Sequence, residues 1–219
     1  VLRNIRYTHK SYSEAGVAKQ FRDEQNRQRI IESAWELVAS AGVRSATMRA
    51  IGARAGVTTG SVTHYFDTKD AVMRAVLEYN NQRAAQRTES AARGLRGLAA
   101  ARKHAMALLP TGNDGMSIWR VWLAFWMEAG PSPSGLSGLS GGWEQWRVAL
   151  SRRLREAVED GELPAGMDLR YESDRIGTLI AGIGLVYGVA TQAGRPRLSP
   201  RARKILDDHF TALAATGEG

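Results

Sequence analysis

Eight consecutive positions, Thr58 to Tyr65, carry six side chains with hydrogen-bonding tips: Thr58, Thr59, Ser61, Thr63, His64 and Tyr65. Hydroxyls, an imidazole and a phenol at that density can bond phosphate oxygens and base edges, and Gly60 among them lets a backbone approach a ligand closely. Other chemistry has thinner support. His9, His64, His104 and His209 stand apart, none with metal-ligand spacing to another, and there is no cysteine to supply a thiolate. The run GLSGG at 138–142 fits G-x-S-x-G, but that motif works only at a strand-to-helix turn with an Asp and a His in reach. No phosphate-cradling G-x-x-x-x-G-K-[ST] loop occurs. The chain therefore reads as a non-enzyme, with no catalytic residue, no metal and no cofactor.

The elements around the polar octet are short helices. Thr47 is a good N-cap for a helix through Ala55, with Met48, Ile51 and Ala55 on its buried side. Gly56 permits the left-handed backbone of a tight turn, and Thr58 then caps a second helix ending near Tyr65. Val57, Val62 and Phe66 are spaced to pack inward, which leaves Thr59, Gly60, Thr63 and His64 facing out. A longer helix precedes them from about Asp23, with Ile30, Ile31, Ala34, Leu37 and Val38 at helical intervals and Gly42 to stop it. Another follows "DTKD". Three helices with a Gly-centred turn between the last two make a helix-turn-helix, whose final helix lies in the major groove of DNA.

Charge agrees with that partner. Of the net +8, all the excess is in the first half: residues 1–103 hold 18 Lys and Arg against 9 Asp and Glu. A basic lobe beside a near-neutral one favours a polyanion for the first. Residues 1–22 form a basic arm with Arg3, Arg6, Lys10 and Lys19 and no sustained period. No apolar run approaches the roughly 20 residues of a membrane span, so no membrane role is expected and a cytoplasmic location is the simplest fit. No strand pattern appears, and the chain is predicted all-α. A helix-turn-helix unit over 23–80 is followed by a larger helical domain over 81–219.

The segment "ATMRAIGARAGVTTGSVTHYFDTKDAVMRAVL" resembles the N-terminal domain of the tetracycline-repressor (TetR) family of bacterial transcription regulators. By that resemblance Thr59, Gly60 and Thr63 fall where members contact bases, and Thr47, Ser61, His64, Tyr65 and Lys69 where they contact phosphate. Many members carry Tyr at the position of Thr63, so base reading there is shifted toward shorter contacts, such as a thymine methyl. The second half, through "VWLAFWMEA", "WEQWRVALSRRL" and "LIAGIGLVYGVATQAGRPRLSPRARKILDDHF", is similar to the betaine-regulator (BetI) branch, which controls choline uptake and oxidation genes. Gly and Ser in "SPSGLSGLSGGW" depart from that pattern. The resemblance implies a repressor bound as a homodimer to a near-palindromic double-stranded operator and released by a small organic effector, an organic cation such as choline being one candidate.

The second domain must then hold a dimer and sense a ligand. Gly177, Ala181, Gly184 and Gly188 line one face of a helix over 170–193, where another helix can come close. With Trp146 and Leu150 on the helix over 143–159, they are the expected dimer interface, the alternative being close packing inside one subunit. Trp119, Trp122 and Trp126 form a stripe that is either ordinary core or, with Glu128 and Tyr187, an effector pocket in which rings hold a cation. Two other functions stay open: a regulator of a drug-efflux gene with lipophilic effectors, and a helical small-molecule binding protein without specific DNA recognition.

Overall fold

The computed structural model describes residues 14–128, 133–192 and 200–217. Nine α-helices occur among them and no strand. The arm residues Arg3, Arg6 and Lys10, the side chains of Lys19, Leu136 and Leu139, and the surroundings of Gly188 lie outside the described residues.

The first helix, α1 (Glu14–Ala41), starts nine residues before the expected Asp23. Its inner face, Ile30, Ile31, Ala34, Trp35 and Val38, is buried. After a short 3-10 turn (Val43–Ser45) come α2 (Met48–Ala55) and α3 (Thr59–Tyr65). Three threonines set the starts. Thr47 Oγ1 accepts from the Ala50 amide at 3.2 Å, Thr58 Oγ1 from the Ser61 amide at 3.0 Å, and Thr68 Oγ1 from the Ala71 amide at 3.1 Å. Each such cap contributes about 1 kcal/mol by satisfying an amide that has no partner inside its helix. Gly56 ends α2 with φ 68°, a conformation that penalises any residue bearing a Cβ. Gly52 is needed for room: a Cβ there would sit 3.0 Å from the Val57 carbonyl oxygen.

Thr68 opens α4 (Lys69–Ala91), which runs unbroken past residue 80, so the two domains share a helix. A turn at 92–96 separates α4 from α5 (Gly97–Ala107). Then come α6 (Gly112–Glu128), α7 (Pro133–Glu159), α8 (Leu169–Gln192) and α9 (Pro200–Ala215). The GLSGG run is inside α7, not at a strand-to-helix turn. Here α5 packs against α4, α7 and α9, while α6 packs against α1, α4 and α8. Leu150, Leu154, Ile176, Ile180 and Leu206 are fully enclosed, each worth about 1.5–3 kcal/mol of apolar burial.

A polar node ties the two halves together. Asn80, fully buried on α4, accepts from Trp35 Nε1 on α1 at 2.7 Å and donates to the Ile118 carbonyl on α6 at 3.2 Å. Beside it Arg83 pairs with Asp114 and lies over the Trp35 ring, 4.7 Å from its centroid.

Candidate nucleic-acid interface and tryptophan-lined cavity

On α3, Val62 is buried beneath and Thr59, Gly60, Thr63 and His64 are exposed above. The outward face therefore has the composition that spacing predicts. Thr63 Oγ1 donates to the Gly60 carbonyl at 2.9 Å, which commits its hydroxyl proton to its own helix. Ser61 Oγ is 3.0 Å from Thr58 Oγ1, and Tyr65 donates from its hydroxyl to Asp23 Oδ1 on α1 at 3.2 Å. Exposed Thr47 at the start of α2 and half-buried Lys69 at the start of α4 flank α3, each at a helix N-terminus, where free amides favour anions. A shallow cleft joins α3 to α1 and adds two residues that sequence reasoning missed, Asn26 and Arg29. They are polar positions just before the apolar face of α1 begins at Ile30, a signal visible in the sequence.

The second feature is a cavity of about 430 Å³ among α4, α5, α6, α7 and α8. Five of the six tryptophans line it: Trp119, Trp122, Trp126, Trp143 and Trp146. Trp119 is 1% exposed and meets Trp122 and Trp126 edge-on at 5.3 and 6.2 Å between centroids. Trp143 stacks on Trp146 at 5.1 Å, and Trp146 on His104 at 5.9 Å. Trp119 donates from Nε1 to the Leu108 carbonyl at 2.6 Å, and Trp122 to Asn81 Oδ1 at 2.9 Å. The wall from α4 is Asn81, Ala84, Ala85, Thr88 and Glu89.

Charge on this wall is already paired. Glu89 accepts from Arg153 Nη2 at 2.6 Å, with Arg152 at 4.0 Å. Burial would raise the Glu89 carboxyl, but Arg153, first by hydrogen bond and then by charge, pulls it below the ordinary range. His104 is pushed the other way. Burial first, and the positive charge of Arg153 second, lower its pKa to about 4 against the opposing pull of Glu89. The imidazole is thus neutral at pH 7. The carbonyls of Trp146 and Thr88 approach the ring, yet neither His104 nitrogen reaches hydrogen-bond geometry with any partner.

Two expected pocket residues are elsewhere. Glu128 pairs with Arg44 at 3.2 Å and borders a separate cleft between α6 and the end of α1. Tyr187 packs half-buried against the core and is not among the lining residues. Helix geometry explains Glu128: at about 100° per residue it lies opposite Trp119 on α6.

The expected dimer face also needs correction. A Cβ on Gly177 would be 2.7 Å from Trp143, and one on Gly184 would collide with the Trp119 ring. Ala181 lines the cavity, Trp146 stacks on His104, and Leu150 is fully buried. The small-residue stripe thus packs against tryptophans of its own subunit, the alternative left open by spacing. The opposite side of α8 is the one exposed, with Tyr171 at 63%, Leu185 at 49% and Val186 at 62%.

Comparison with known proteins now bears on these two features. Residues 30–76 match the family described as bacterial regulatory proteins, tetR family, and residues 97–215 match the BetI-type transcriptional repressor C-terminal domain. The chain belongs to the TetR family. It is a TetR-family transcriptional regulator, not an enzyme, with an α3 that is the second helix of its helix-turn-helix. The regulator SrpR of Pseudomonas putida is 31% identical over 179 residues, covering 73% of this chain and 74% of SrpR. PksA of Bacillus subtilis is 29% identical over 110 residues, 49% of this chain; that match spans about half (53%) of the relative. A transcriptional regulator of Saccharomonospora viridis, solved in complex with choline, shares the fold with TM-score 0.74 at 22% identity, covering 86% of this chain and 96% of that one. TetR regulators bind DNA operators and small-molecule effectors, typically as dimers. Among the described residues no helix is long and apolar enough to cross a membrane, and no three metal-ligating side chains are gathered.

Proposed function

We propose that this TetR regulator is a cytoplasmic repressor that binds a near-palindromic operator as a homodimer. It lets go when a small organic molecule fills the tryptophan-lined cavity. One observation carries the reading: α4 is a single helix with Lys69 at its start, next to the helix-turn-helix, and Asn81, Ala84, Ala85 and Thr88 on the cavity wall. Anything that displaces the wall tilts the reading head. Thr59, Gly60 and Thr63 would read bases, with Thr47, Ser61, His64, Tyr65 and Lys69 on phosphate and Arg29 as an additional cation.

Two copies would present their α3 helices ~34 Å apart or a multiple of that, matching the operator's two-fold symmetry. The support for their contact is the apolar outer side of α8, Tyr171, Leu185 and Val186, joined by exposed Val148 on α7. An effector that prefers the dimer with misplaced α3 helices draws population from the DNA-bound form. A 100-fold loss of operator affinity needs only about 2.7 kcal/mol of such coupling.

The cavity's size is in the range that encloses drug-sized molecules, and its indole rings supply an apolar lining. Such rings also hold quaternary ammonium groups, the chemistry of the choline in the Saccharomonospora relative. A mobility-shift and nuclease-protection assay on the gene's own upstream DNA tests the reading. A protected two-fold site at moderate salt supports it. Binding that is sequence-blind and vanishes with salt, as for a basic carrier protein, overturns it.

A further inference from the structure

The cavity's polar inventory is nearly closed. Asn81 takes the Trp122 N–H, Thr88 donates to the Ala85 carbonyl, Glu89 holds Arg153, and Trp119 is bonded to Leu108. Two buried groups lining the cavity remain without partners among the described residues, both nitrogens of His104, which is 1% exposed, and the N–H of Trp146, whereas the remaining polar lining residue, Gln145, is exposed to solvent. Their rings stack, so the two groups belong to one end of the cavity. A buried donor or acceptor left unmatched costs free energy, which a complementary ligand atom recovers.

The chemistry of these two groups selects the ligand. Trp146 Nε1–H needs an acceptor. A neutral imidazole has one bare nitrogen that needs a donor. A hydroxyl supplies both. Charge selects too. The one carboxylate on the described wall, Glu89, is held by Arg153 and faced by Arg152, so a cationic ligand finds no uncommitted anion there. An anionic ligand finds no free cation, because neither Lys nor Arg lines the cavity and nearby Arg153 is paired with Glu89.

We propose that the cavity takes an uncharged ligand with an aromatic or alicyclic body among the tryptophans and a hydroxyl held between His104 and Trp146. The assignment rests on the cavity being the effector site, but it is tested separately from DNA binding. Titration calorimetry on the full chain compares 1-naphthol with 1-methylnaphthalene, equal in shape but without the hydroxyl, and with choline and benzyltrimethylammonium. 1-Naphthol should bind about tenfold or more tighter than its methyl counterpart, and both quaternary ammonium probes more weakly than 1-naphthol. His104→Phe should shrink the naphthol preference to within about threefold while keeping 1-methylnaphthalene binding.

Imidazole nitrogen NMR of the unmodified protein gives a second readout, free of any folding defect in the variant. The His104 signal should move with 1-naphthol and stay with 1-methylnaphthalene. Equal affinity for the two naphthalenes, tighter binding of either cation, no uncharged probe bound, or an unmoved His104 signal each overturns the assignment. The operator assay is read independently. Naphthol binding without specific DNA binding would defeat the regulator reading and leave the ligand class standing.

Discussion

Asn81 Oδ1 accepts a hydrogen bond from Trp122 Nε1 at 2.9 Å, fastening α4 to the ceiling of the cavity one residue beyond the node where Asn80 bridges Trp35 and Ile118. The helix that starts at Lys69 is thus fixed to α1 and α6 at adjacent positions. Of these three bonds, the one from Trp122 to Asn81 is the one that a molecule wedged against Trp122 would strain first.

Asn81→Ala should therefore uncouple the two domains more than it unfolds them. A hydrogen bond of this kind contributes about 0.5–1.5 kcal/mol, a large share of the 1–3 kcal/mol typical of allosteric coupling. The expected result is operator affinity within about threefold of the parent, with the loss caused by saturating 1-naphthol cut several-fold. Fluorescence anisotropy with labelled operator checks it. An unchanged response to the ligand would remove Asn81 from the pathway.

Gly60 separates fold from function at a single atom. A Cβ there would meet only Thr58 Oγ1, at an ordinary 3.7 Å. Gly60→Ala should leave the melting temperature equal or slightly raised, because Ala favours a helix by about 0.5–1 kcal/mol. On the base-reading role proposed for Gly60 the added methyl crowds a base edge, and operator affinity should fall by about tenfold, the scale of one lost base contact. Wild-type affinity in this variant would mean that α3 is not the reading helix.

The helix-turn-helix is legible in the sequence because its determinants are local. Thr47, Gly56 and Thr58 each act within four residues of themselves, so their types alone mark where α2 begins and ends and where α3 begins. The second domain is different. Gly177, Ala181 and Gly184 mark a helix face that something approaches, but spacing holds no name for that neighbour, and it proved to be Trp143 and Trp119 of the same chain. His104 reads as isolated along the sequence, yet it shares the inner face of α5 with Ala100, Ala101, Ala105 and Leu108. A polar residue at that register was the available signal. Glu128 is two residues from Trp126 in sequence, but rotation around the helix places it on the far side, paired with Arg44.

The corrected packing separates two variants. Gly184→Ala drives a methyl into Trp119, which cannot retreat because its Nε1 is bonded to Leu108 and it is buried. Overpacking of this kind costs about 1–3 kcal/mol, seen as a lower melting temperature with the sedimentation coefficient unchanged. Val186→Asp, on the exposed side of α8, should instead yield monomers and weaken operator binding. Were Gly184→Ala to dissociate the dimer and Val186→Asp not, the small-residue face would be the interface after all.

His104 gives the fold a pH dependence of defined sign. Unfolded, its imidazole titrates near the ordinary 6.5; folded, burial first and Arg153 second hold it to about 4, with Glu89 opposing. Between those values the unfolded chain binds a proton that the native ring refuses, so stability rises with pH across the window. The contribution is fully present above about pH 6.5 and is lost as pH falls toward 4, at most about 3 kcal/mol. Glu172 acts in a lower window. Burial would raise its carboxyl, but the hydrogen bond to His209 at 2.5 Å and the pairing with Arg175 at 2.9 Å hold it below the ordinary 4.5. Its share is present above that ordinary value and is lost only as pH falls through the lowered one. Urea denaturation at about pH 7.5, about 5.5, about 4.5 and about 3 distinguishes the two, because the first three span the His104 window and the last reaches the Glu172 one. His104→Phe should flatten the slope between pH 7.5 and 4.5 and leave the more acid limb in place. A variant that tracks the parent at every pH would mean that the imidazole is not held neutral in the cavity wall, and the hydrogen-bonding role assigned to it would fail with that result.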